Sequence, residues 1–298
     1  MRPGDVTDPF RLDRTAVRGA FDRASAGYEA AAVLQARVRA ELIERLSLVR
    51  LAPKVVLDLG AGTGQGAGEL KRVHRRATVV ALDLAAGMLR EARRHSRIFR
   101  RFERVCGDAF ALPLKEGSID LVFSNLMLQW CDDLDAVLAE VHRVLRRDGF
   151  FAFSTFGPDT LRELRTAWAQ VDGSTHVNRF LDMHDVGDAL TRSGFTEPVL
   201  DVERVELTYP GVRELVRDLK AIGAHNVTSA RPRGLTGRGR WSALTTAYES
   251  LRRGGRLPAT FEVVYGAAWG GAGKSAAALV RGEARISPDS IGHRVRTE

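Results

Sequence analysis

From Arg14 to Leu51, apolar residues recur at the spacing of an amphipathic helix. The recurring positions are Val17, Phe21, Tyr28, Val33, Leu34, Val38, Leu42 and Leu46. This spacing predicts two helices between Arg14 and Leu51, with a break near Ser25. Pro53 ends the helical segment, because its ring cannot continue a helix.

From residue 55 to residue 156, short apolar runs alternate with stretches of helical spacing. The runs predict five strands, at Val55–Leu57, Val79–Leu82, Phe102–Val105, Ile119–Asn125 and Phe150–Phe156. Leu134–Leu145 is the clearest of the intervening helices. Because strands joined by crossover helices lie parallel, the pattern predicts a doubly wound α/β fold with a mostly parallel sheet.

The second half of the chain is less regular. It predicts helices at Thr160–Val171, Met183–Thr191, Val212–Ile222 and Trp241–Leu251, and strands at Val199–Tyr209 and Phe261–Trp269. A loop rich in glycine and arginine spans residues 223–240. The tail beyond Gly270 is rich in small and charged residues, so it is predicted to be mobile.

The stretch from Val55 to Asp83 has the order strand, glycine turn, helix, strand and acid. Glycines in the turn let a ligand approach the backbone, and the start of the helix offers unpaired N–H groups. An acid that ends the second strand about twenty residues later can accept hydrogen bonds from ribose hydroxyls. The stretch therefore predicts a nucleoside site. Since Gly62-x-Gly64-x-x-Ala67 also satisfies the dinucleotide fingerprint, the turn alone leaves a methyl donor and a nicotinamide dinucleotide open.

Two acids outside the turn favour the methyl donor. Asp58 lies just before the turn, where its carboxylate is a poor neighbour for a pyrophosphate on the helix start but suits the ammonium of an amino-acid moiety. Gly107-Asp108-Ala109 places a second acid after the third strand. There a carboxylate can accept a hydrogen bond from the exocyclic amine of an adenine.

These segments, together with Phe123–Asn125 and Leu128–Trp130, resemble the motifs of the class I S-adenosylmethionine-dependent methyltransferases. The resemblance implies a Rossmann-like sheet of seven strands, with the last strand inserted antiparallel, and S-adenosylmethionine as co-substrate. It also implies a set of donor-binding residues, namely Asp58, Gly60, Ala61, Gly62, Gly64, Asp83, Leu84, Met88, Asp108, Ala109, Asn125 and Gln129.

Other segments resemble a narrower family, the malonyl-[acyl-carrier protein] O-methyltransferases of biotin synthesis. They are Phe21–Ala24, Tyr28, Leu34-Gln35, Ser154–Leu164, Asp182–Asp188, Leu219–Asn226 and Gly234–Arg238. The resemblance implies methyl transfer to the free carboxylate of a malonyl group carried by acyl carrier protein or coenzyme A. The resulting methyl ester masks a charge and primes pimeloyl synthesis.

With that resemblance, four parts of the chain are predicted. They are an N-terminal helical lid (1–51), a donor-binding core (52–156), a substrate cap with the last strands of the sheet (157–270) and a mobile tail (271–298). Three alternatives stay open: a methyltransferase acting on another small molecule, such as a quinone or polyketide, an NAD-linked oxidoreductase, and a nucleic-acid-binding protein.

The chemistry of the acceptor predicts how its carboxylate is held. A malonyl carboxylate is ionised near neutral pH, so its methylation needs alignment and exclusion of water rather than a general base. A bidentate arginine would lower the nucleophilicity of the carboxylate, so a contact through one hydrogen bond is favoured. The candidates are Tyr28, which is the first choice, Arg179 and Tyr209.

The chain of 298 residues carries a net charge of +8, which suits an acidic partner. Since the resemblance supplies an acidic carrier protein, we expect docking rather than nucleic-acid binding. The predicted docking residues are Arg231, Arg233, Arg238 and Arg240, with Arg93, Arg94 and Arg97 as an extension.

Other functions are excluded by what the chain lacks. Neither the two cysteines, Cys106 and Cys131, nor His176, His184 and His225 have metal-ligand spacing, so no metal is expected. No apolar run approaches the roughly 18 residues of a membrane span, and no secretory signal is apparent. A cytoplasmic enzyme without membrane contact is predicted.

Overall fold

The computed structural model describes residues 12–96, 100–224, 228 and 236–271. Several predictions made from the sequence lie outside these residues. They concern Arg97, His225, Arg231, Arg233 and the tail from residue 272 onward.

The core of the molecule is a seven-stranded sheet. Its strands are β1 (Val55–Leu59), β2 (Thr78–Asp83), β3 (Glu103–Cys106), β4 (Ile119–Asn125), β5 (Leu145–Phe156), β6 (Thr196–Tyr209) and β7 (Leu257–Trp269). The strand order is β3-β2-β1-β4-β5-β7-β6. Strands β1 to β5 pair in parallel, whereas β7 lies antiparallel between β5 and β6. The predicted fold, including the inserted last strand, is confirmed.

Ten α-helices are present in the described residues. They are α1 (Arg14–Ala24), α2 (Tyr28–Ala31), α3 (Val33–Ser47), α4 (Gln65–Val73), α5 (Ala86–Glu91), α6 (Leu134–Val144), α7 (Arg162–Ala169), α8 (Met183–Arg192), α9 (Val212–Ala221) and α10 (Arg238–Glu249). The break predicted near Ser25 separates α1 from α2. The prediction of a single second helix is wrong, because a further break at Ala32 divides it into α2 and α3.

Alternation along β4 shows how the sheet divides the apolar core. Leu121 and Phe123 belong to one buried cluster, and Val122 between them belongs to another, because successive side chains of a strand point to opposite faces. The first cluster includes the apolar face of α3, and the second includes that of α6 and of α8. Helices therefore cover both faces, as a doubly wound sheet requires.

Several predicted boundaries are wrong, and three of them have a clear tertiary cause. Strand β5 begins at Leu145, where the sequence predicted the last residue of a helix, because Leu145 pairs with Ile119. Strand β7 begins at Leu257 because it pairs with Tyr209. Helix α10 begins at Arg238, inside the segment predicted to be a loop. Each difference arises from tertiary pairing or packing that local sequence patterns do not report.

Candidate active site

A cavity lies at the carboxyl ends of β1, β2 and β4, where the strand order reverses between β1 and β4. Ligands of open α/β sheets bind at such a switch point. The lining residues are Arg14, Val17, Phe21, Tyr28, Leu59, Gly60, Gly62, Leu82, Asp83, Leu84, Met88, Gly107, Asp108, Ala109, Phe110, Asn125, Leu126, Met127, Trp130 and Cys131. We call it the first cavity. It brings together Tyr28 and eight of the twelve predicted donor-binding residues, but not Asp58, Ala61, Gly64 or Gln129.

Asp83, the acid that ends β2, is anchored to the backbone on both sides. Its Oδ2 accepts a hydrogen bond from the Gly62 N–H at 2.8 Å, and its Oδ1 accepts one from the Ala85 N–H at 2.8 Å. Burial raises the pKa of Asp83 to about 6, although these two N–H groups act to lower it. The carboxylate is therefore ionised at neutral pH and presents its remaining lone pairs at the cavity wall.

Asp58 lies behind the glycine turn and not in the wall of the first cavity. It is 2 % exposed, accepts a hydrogen bond from the Ala67 N–H, and is close to the Arg39 guanidinium. Its Oδ2 has no hydrogen-bond partner among the described residues. Burial raises the pKa of Asp58 to about 7, against the opposing effect of Arg39. This side chain thus connects β1 to the first turn of α4.

The segment after β3 meets the first helix of the chain. The Arg14 guanidinium contacts the Asp108 carboxylate and lies 4.4 Å from the centre of the Phe110 ring. Asp108 Oδ1 also accepts a hydrogen bond from the Phe110 N–H at 3.0 Å. Sequence reasoning missed Arg14, because an arginine on an amphipathic helix carries no signal of which site it will contact.

Helix α1 is held over the cavity by a second contact. Asp22 Oδ1 accepts a hydrogen bond from the Gly87 N–H, at the start of α5, at 2.6 Å. Phe21 packs edge-on against Trp130, with ring centres 5.2 Å apart. The N-terminal segment therefore covers the carboxyl edge of the sheet.

The residues after β4 are held by side-chain hydrogen bonds. The Asn125 Nδ2 donates to the Gln35 carbonyl at 3.2 Å, and the Ser154 hydroxyl donates to Asn125 Oδ1 at 3.0 Å. Gln129 Nε2 donates to the Leu126 carbonyl at 2.6 Å. Asn125 lines the first cavity, whereas Gln129 lines a neighbouring one.

That neighbouring cavity, which we call the second cavity, has a volume of about 570 Å³. Its lining residues are Gln129, Trp130, Phe156, Thr160, Leu161, Leu164, Trp168, His176, Val177, Asn178, Phe180, Val216, Leu219, Lys220, Ile222, Ala224, Thr236, Trp241 and Phe261. Trp130 lines both cavities. Most of these residues were missed, because they come from three helices, two strands and the segments between them, which only the folded chain brings together.

The three residues predicted to position a carboxylate lie in different surroundings. Tyr28 lines the first cavity, where burial, and to a lesser extent the Asp83 carboxylate, raise the pKa of its hydroxyl and keep it protonated. Arg179 is exposed and lines neither cavity. The Tyr209 hydroxyl donates to Asp218 Oδ2 at 2.9 Å, also outside both linings.

The basic residues predicted for docking are partly described. Arg238 and Arg240 lie in the first turn of α10, and Arg240 Nε is 3.8 Å from Asp172 Oδ2. Arg93 and Arg94 follow α5, and Arg94 forms an ion pair with Glu91 at 2.8 Å.

The Cys131 thiol and the His176 ring are two further reactive groups that line the cavities. Burial raises the pKa of the Cys131 thiol to about 12, so it is not a nucleophile at neutral pH. His176 packs on Trp168 and its Nε2 is 2.8 Å from Asp172 Oδ1. Within the described parts of the chain, no three His, Cys, Asp or Glu side chains come together as metal ligands.

Across 12–96, 100–224 and 236–271, no helix combines the length and apolarity needed to cross a bilayer.

Comparison with known proteins shows which family the chain belongs to. A family model described as a methyltransferase domain matches residues 57–153, from β1 to β5. The chain is 54 % identical over 272 residues to a malonyl-[acyl-carrier protein] O-methyltransferase of Laribacter hongkongensis, covering 89 % of this chain and 92 % of the relative. The chain belongs to the malonyl-[acyl-carrier protein] O-methyltransferase family.

Other comparisons agree with this membership. A malonyl-[acyl-carrier protein] O-methyltransferase of Halorhodospira halophila is 48 % identical over 298 residues, covering 99 % of this chain and all of the relative. The YcgJ protein of Bacillus subtilis shares the fold, with a TM-score of 0.54 at 17 % identity over 76 % of this chain and 97 % of that one. The predicted family is confirmed, and membership in a methyltransferase family sets aside the alternative of an oxidoreductase.

Proposed function

We propose that this protein transfers a methyl group from S-adenosylmethionine to the free carboxylate of a malonyl thioester on acyl carrier protein, giving the methyl ester that primes pimeloyl synthesis for biotin. The observation that carries the proposal is the adjacency of two cavities of different character. The first is built at a nucleoside-type switch point around Asp83, and the second is a larger, mostly apolar chamber that adjoins it at Trp130. The identity of the acceptor is inferred from the relatives, which are named malonyl-[acyl-carrier protein] O-methyltransferases.

The residues that line the first cavity suit the chemistry of the donor. The Asp83 carboxylate is placed to accept hydrogen bonds from ribose hydroxyls, since both of its oxygens are fixed by backbone N–H groups. Leu84, Met88 and Phe110 provide apolar walls for an adenine ring, and Asp108 is an acceptor beside them. When bound, S-adenosylmethionine supplies an electrophilic methyl group on a positively charged sulfur.

The task of the protein is then to align an existing nucleophile. The malonyl carboxylate is ionised at neutral pH, and its attack on a sulfonium methyl group needs an in-line approach in a dry site. Tyr28 is the first choice to hold one carboxylate oxygen, because its protonated hydroxyl lies in the first cavity and donates a single hydrogen bond. Arg179 and Tyr209 rank below it, since neither lines a cavity.

Replacing Tyr28 by phenylalanine is expected to lower kcat/KM for the malonyl thioester about tenfold or more, because one hydrogen bond to a charged group is lost. The rate is measured with saturating S-adenosylmethionine, and donor binding by calorimetry. Tyr248→Phe is the matched control, since it removes a buried hydroxyl that donates to the Pro258 carbonyl away from both cavities. If Tyr28→Phe changed neither quantity, Tyr28 would not position the acceptor.

The proposal extends to the partner. Carrier proteins are acidic, so Arg238 and Arg240 at the start of α10, with Arg231 and Arg233 before them in the chain, are proposed to dock the carrier. Malonyl-coenzyme A is a second, smaller acceptor that would not use this surface. We further propose a cytoplasmic enzyme that needs no metal, nucleic acid or membrane, in keeping with its two free cysteines.

The deciding experiment follows methyl transfer from labelled S-adenosylmethionine. Malonyl-carrier protein, malonyl-coenzyme A and acetyl-carrier protein are compared as acceptors. Label is expected on the two malonyl thioesters, as a base-labile methyl ester, and not on the acetyl control. Labelling of the acetyl thioester as fast as the malonyl thioester would contradict a carboxyl O-methyltransferase.

A further inference from the structure

The second cavity is mostly apolar, with six polar residues among the nineteen in its lining; of these six, Lys220 and Thr236 are exposed. At about 570 Å³ it lies within the range of roughly 300–1,000 Å³ found for small-molecule sites, and it is larger than a malonyl group needs. It can therefore admit the acyl group together with part of the thioester arm. In such sites a small number of polar groups fixes the orientation of the ligand.

Most of the buried polar side chains around this cavity are already engaged within the protein. The Thr160 hydroxyl donates to the Glu262 carbonyl at 3.1 Å and accepts from the Glu262 N–H at 3.0 Å. Gln129 Nε2 donates to the Leu126 carbonyl. His176 Nε2 is 2.8 Å from Asp172 Oδ1. These contacts serve the fold and leave little bonding capacity for a ligand.

Asn178 differs from them. It is 7 % exposed, lines the second cavity, and its Oδ1 has no hydrogen-bond partner in the part of the chain that is described. A buried amide left without a partner is destabilising, and such groups need an explanation. Its neighbour Arg179, which the sequence suggested for the carboxylate, is exposed instead.

The segment that carries Asn178 is fixed on both sides. Before it, the His176 ring stacks on Trp168 with ring centres 3.6 Å apart and an interplanar angle of 8°. After it, Phe180 packs edge-on against Phe156 at the end of β5, with ring centres 5.7 Å apart. Residue 178 is thus held in the wall of the second cavity, close to the carboxyl end of β5.

We propose that Asn178 donates a hydrogen bond to the malonyl carboxylate and so selects carboxylated acyl thioesters. The inference rests on the proposed function. An amide can present either its oxygen or its NH₂ group after a half-turn about its last bond, and an ionised carboxylate can only accept. A neutral donor orients the carboxylate without cancelling the charge that attacks the methyl group.

The test compares an acyl group that carries the carboxylate with one that lacks it. Asn178→Leu is expected to raise KM for malonyl-carrier protein about 10- to 100-fold, the loss expected for a hydrogen bond to a charged group. The inhibition constant of acetyl-carrier protein and the Kd of S-adenosylmethionine should stay within about threefold of wild type. Gln170→Leu, which also replaces a side-chain amide by leucine but at an exposed residue after α7, is the control and should change none of these constants.

Asn178→Asp separates binding from packing, because it keeps the size of the side chain and places a carboxylate against a carboxylate. It should raise KM for the malonyl thioester more than Asn178→Leu does, with the acetyl constant again unchanged. An unchanged malonyl KM in both variants, or equal rises for malonyl and acetyl thioesters, would overturn the assignment of Asn178. Failure of the wild-type protein to methylate any malonyl thioester would overturn the proposed function, and this inference with it.

Discussion

Replacing Asp83 by alanine is expected to raise the Kd of S-adenosylmethionine about 100-fold or more. The carboxylate is the anchor of the first cavity, with both oxygens fixed at 2.8 Å from backbone N–H groups. Each hydrogen bond between a ribose hydroxyl and a charged group contributes about 1.5–3 kcal/mol, and two such bonds account for a factor of this size. Calorimetry or equilibrium dialysis with the purified protein measures it.

Asp120 provides a matched control at the other edge of the sheet. Its Oδ2 accepts hydrogen bonds from the Lys54 and Val55 N–H groups at 2.8 and 2.7 Å, so Asp120→Ala removes the same kind of contact far from the cavity. This variant should lose stability but keep its Kd for S-adenosylmethionine within about threefold. Equal effects of the two alanine variants on Kd would mean that Asp83 acts only through the fold.

The pH dependence of the same Kd gives the Asp83 prediction a second measurement. Burial raises the pKa of Asp83 to about 6, and its ionised form is the better acceptor. Affinity should therefore be constant above about pH 7 and fall as the pH is lowered through 6, at most about tenfold for each pH unit. Asp83→Asn should remove this dependence, and a persisting slope in that variant would assign the titration to another group.

Replacing Gly64 by alanine is expected to lower the free energy of unfolding by about 3 kcal/mol. Gly64 begins α4 with a φ of +78°, a region that costs other residues about 1–2 kcal/mol. An added Cβ would also lie 2.7 Å from the Ala92 Cβ and 3.0 Å from the Phe102 ring, and overpacking of this kind costs about 1–3 kcal/mol. Denaturant titration of both proteins measures the difference.

Gly62→Ala separates the cost of the positive φ from the cost of overpacking, because Gly62 lies in the same turn as Gly64. Its φ is also positive, at +54°, but an added Cβ would meet no atom within 4 Å. Gly62→Ala should therefore cost only the backbone term, about 1–2 kcal/mol. If both alanine variants lost the same stability, the close approach of residue 64 to Ala92 and Phe102 would not be a cause of the loss.

The pattern of the sequence was sufficient to predict the sheet and the part of the first cavity at the carboxyl ends of β1 and β2. Apolar strands and helical spacing are local properties, so β1 to β4 and their parallel order followed from residues 55–125. Asp83 and the glycine turn were predicted together, because strand, turn and helix leave little freedom in where the end of β2 lies. Sequence segments outside these motifs were specific enough to predict the family.

The tertiary structure alone decided the second cavity, which is the proposed acceptor site. The second cavity is formed by α7, α9, α10 and the ends of β5 and β7, which are distant in the chain, and no local period reports which of their side chains share a wall. The tertiary structure also places Asp58 behind the glycine turn and brings Arg14 into contact with Asp108. In the second cavity it places Asn178 rather than Arg179. The sequence determined where β4, β5, β6 and β7 end, because that depends on short-range periodicity, but it did not determine where β5 and β7 begin. Only packing over long separations determined where side chains in irregular segments point, because their directions depend on neighbours that the chain meets after it folds.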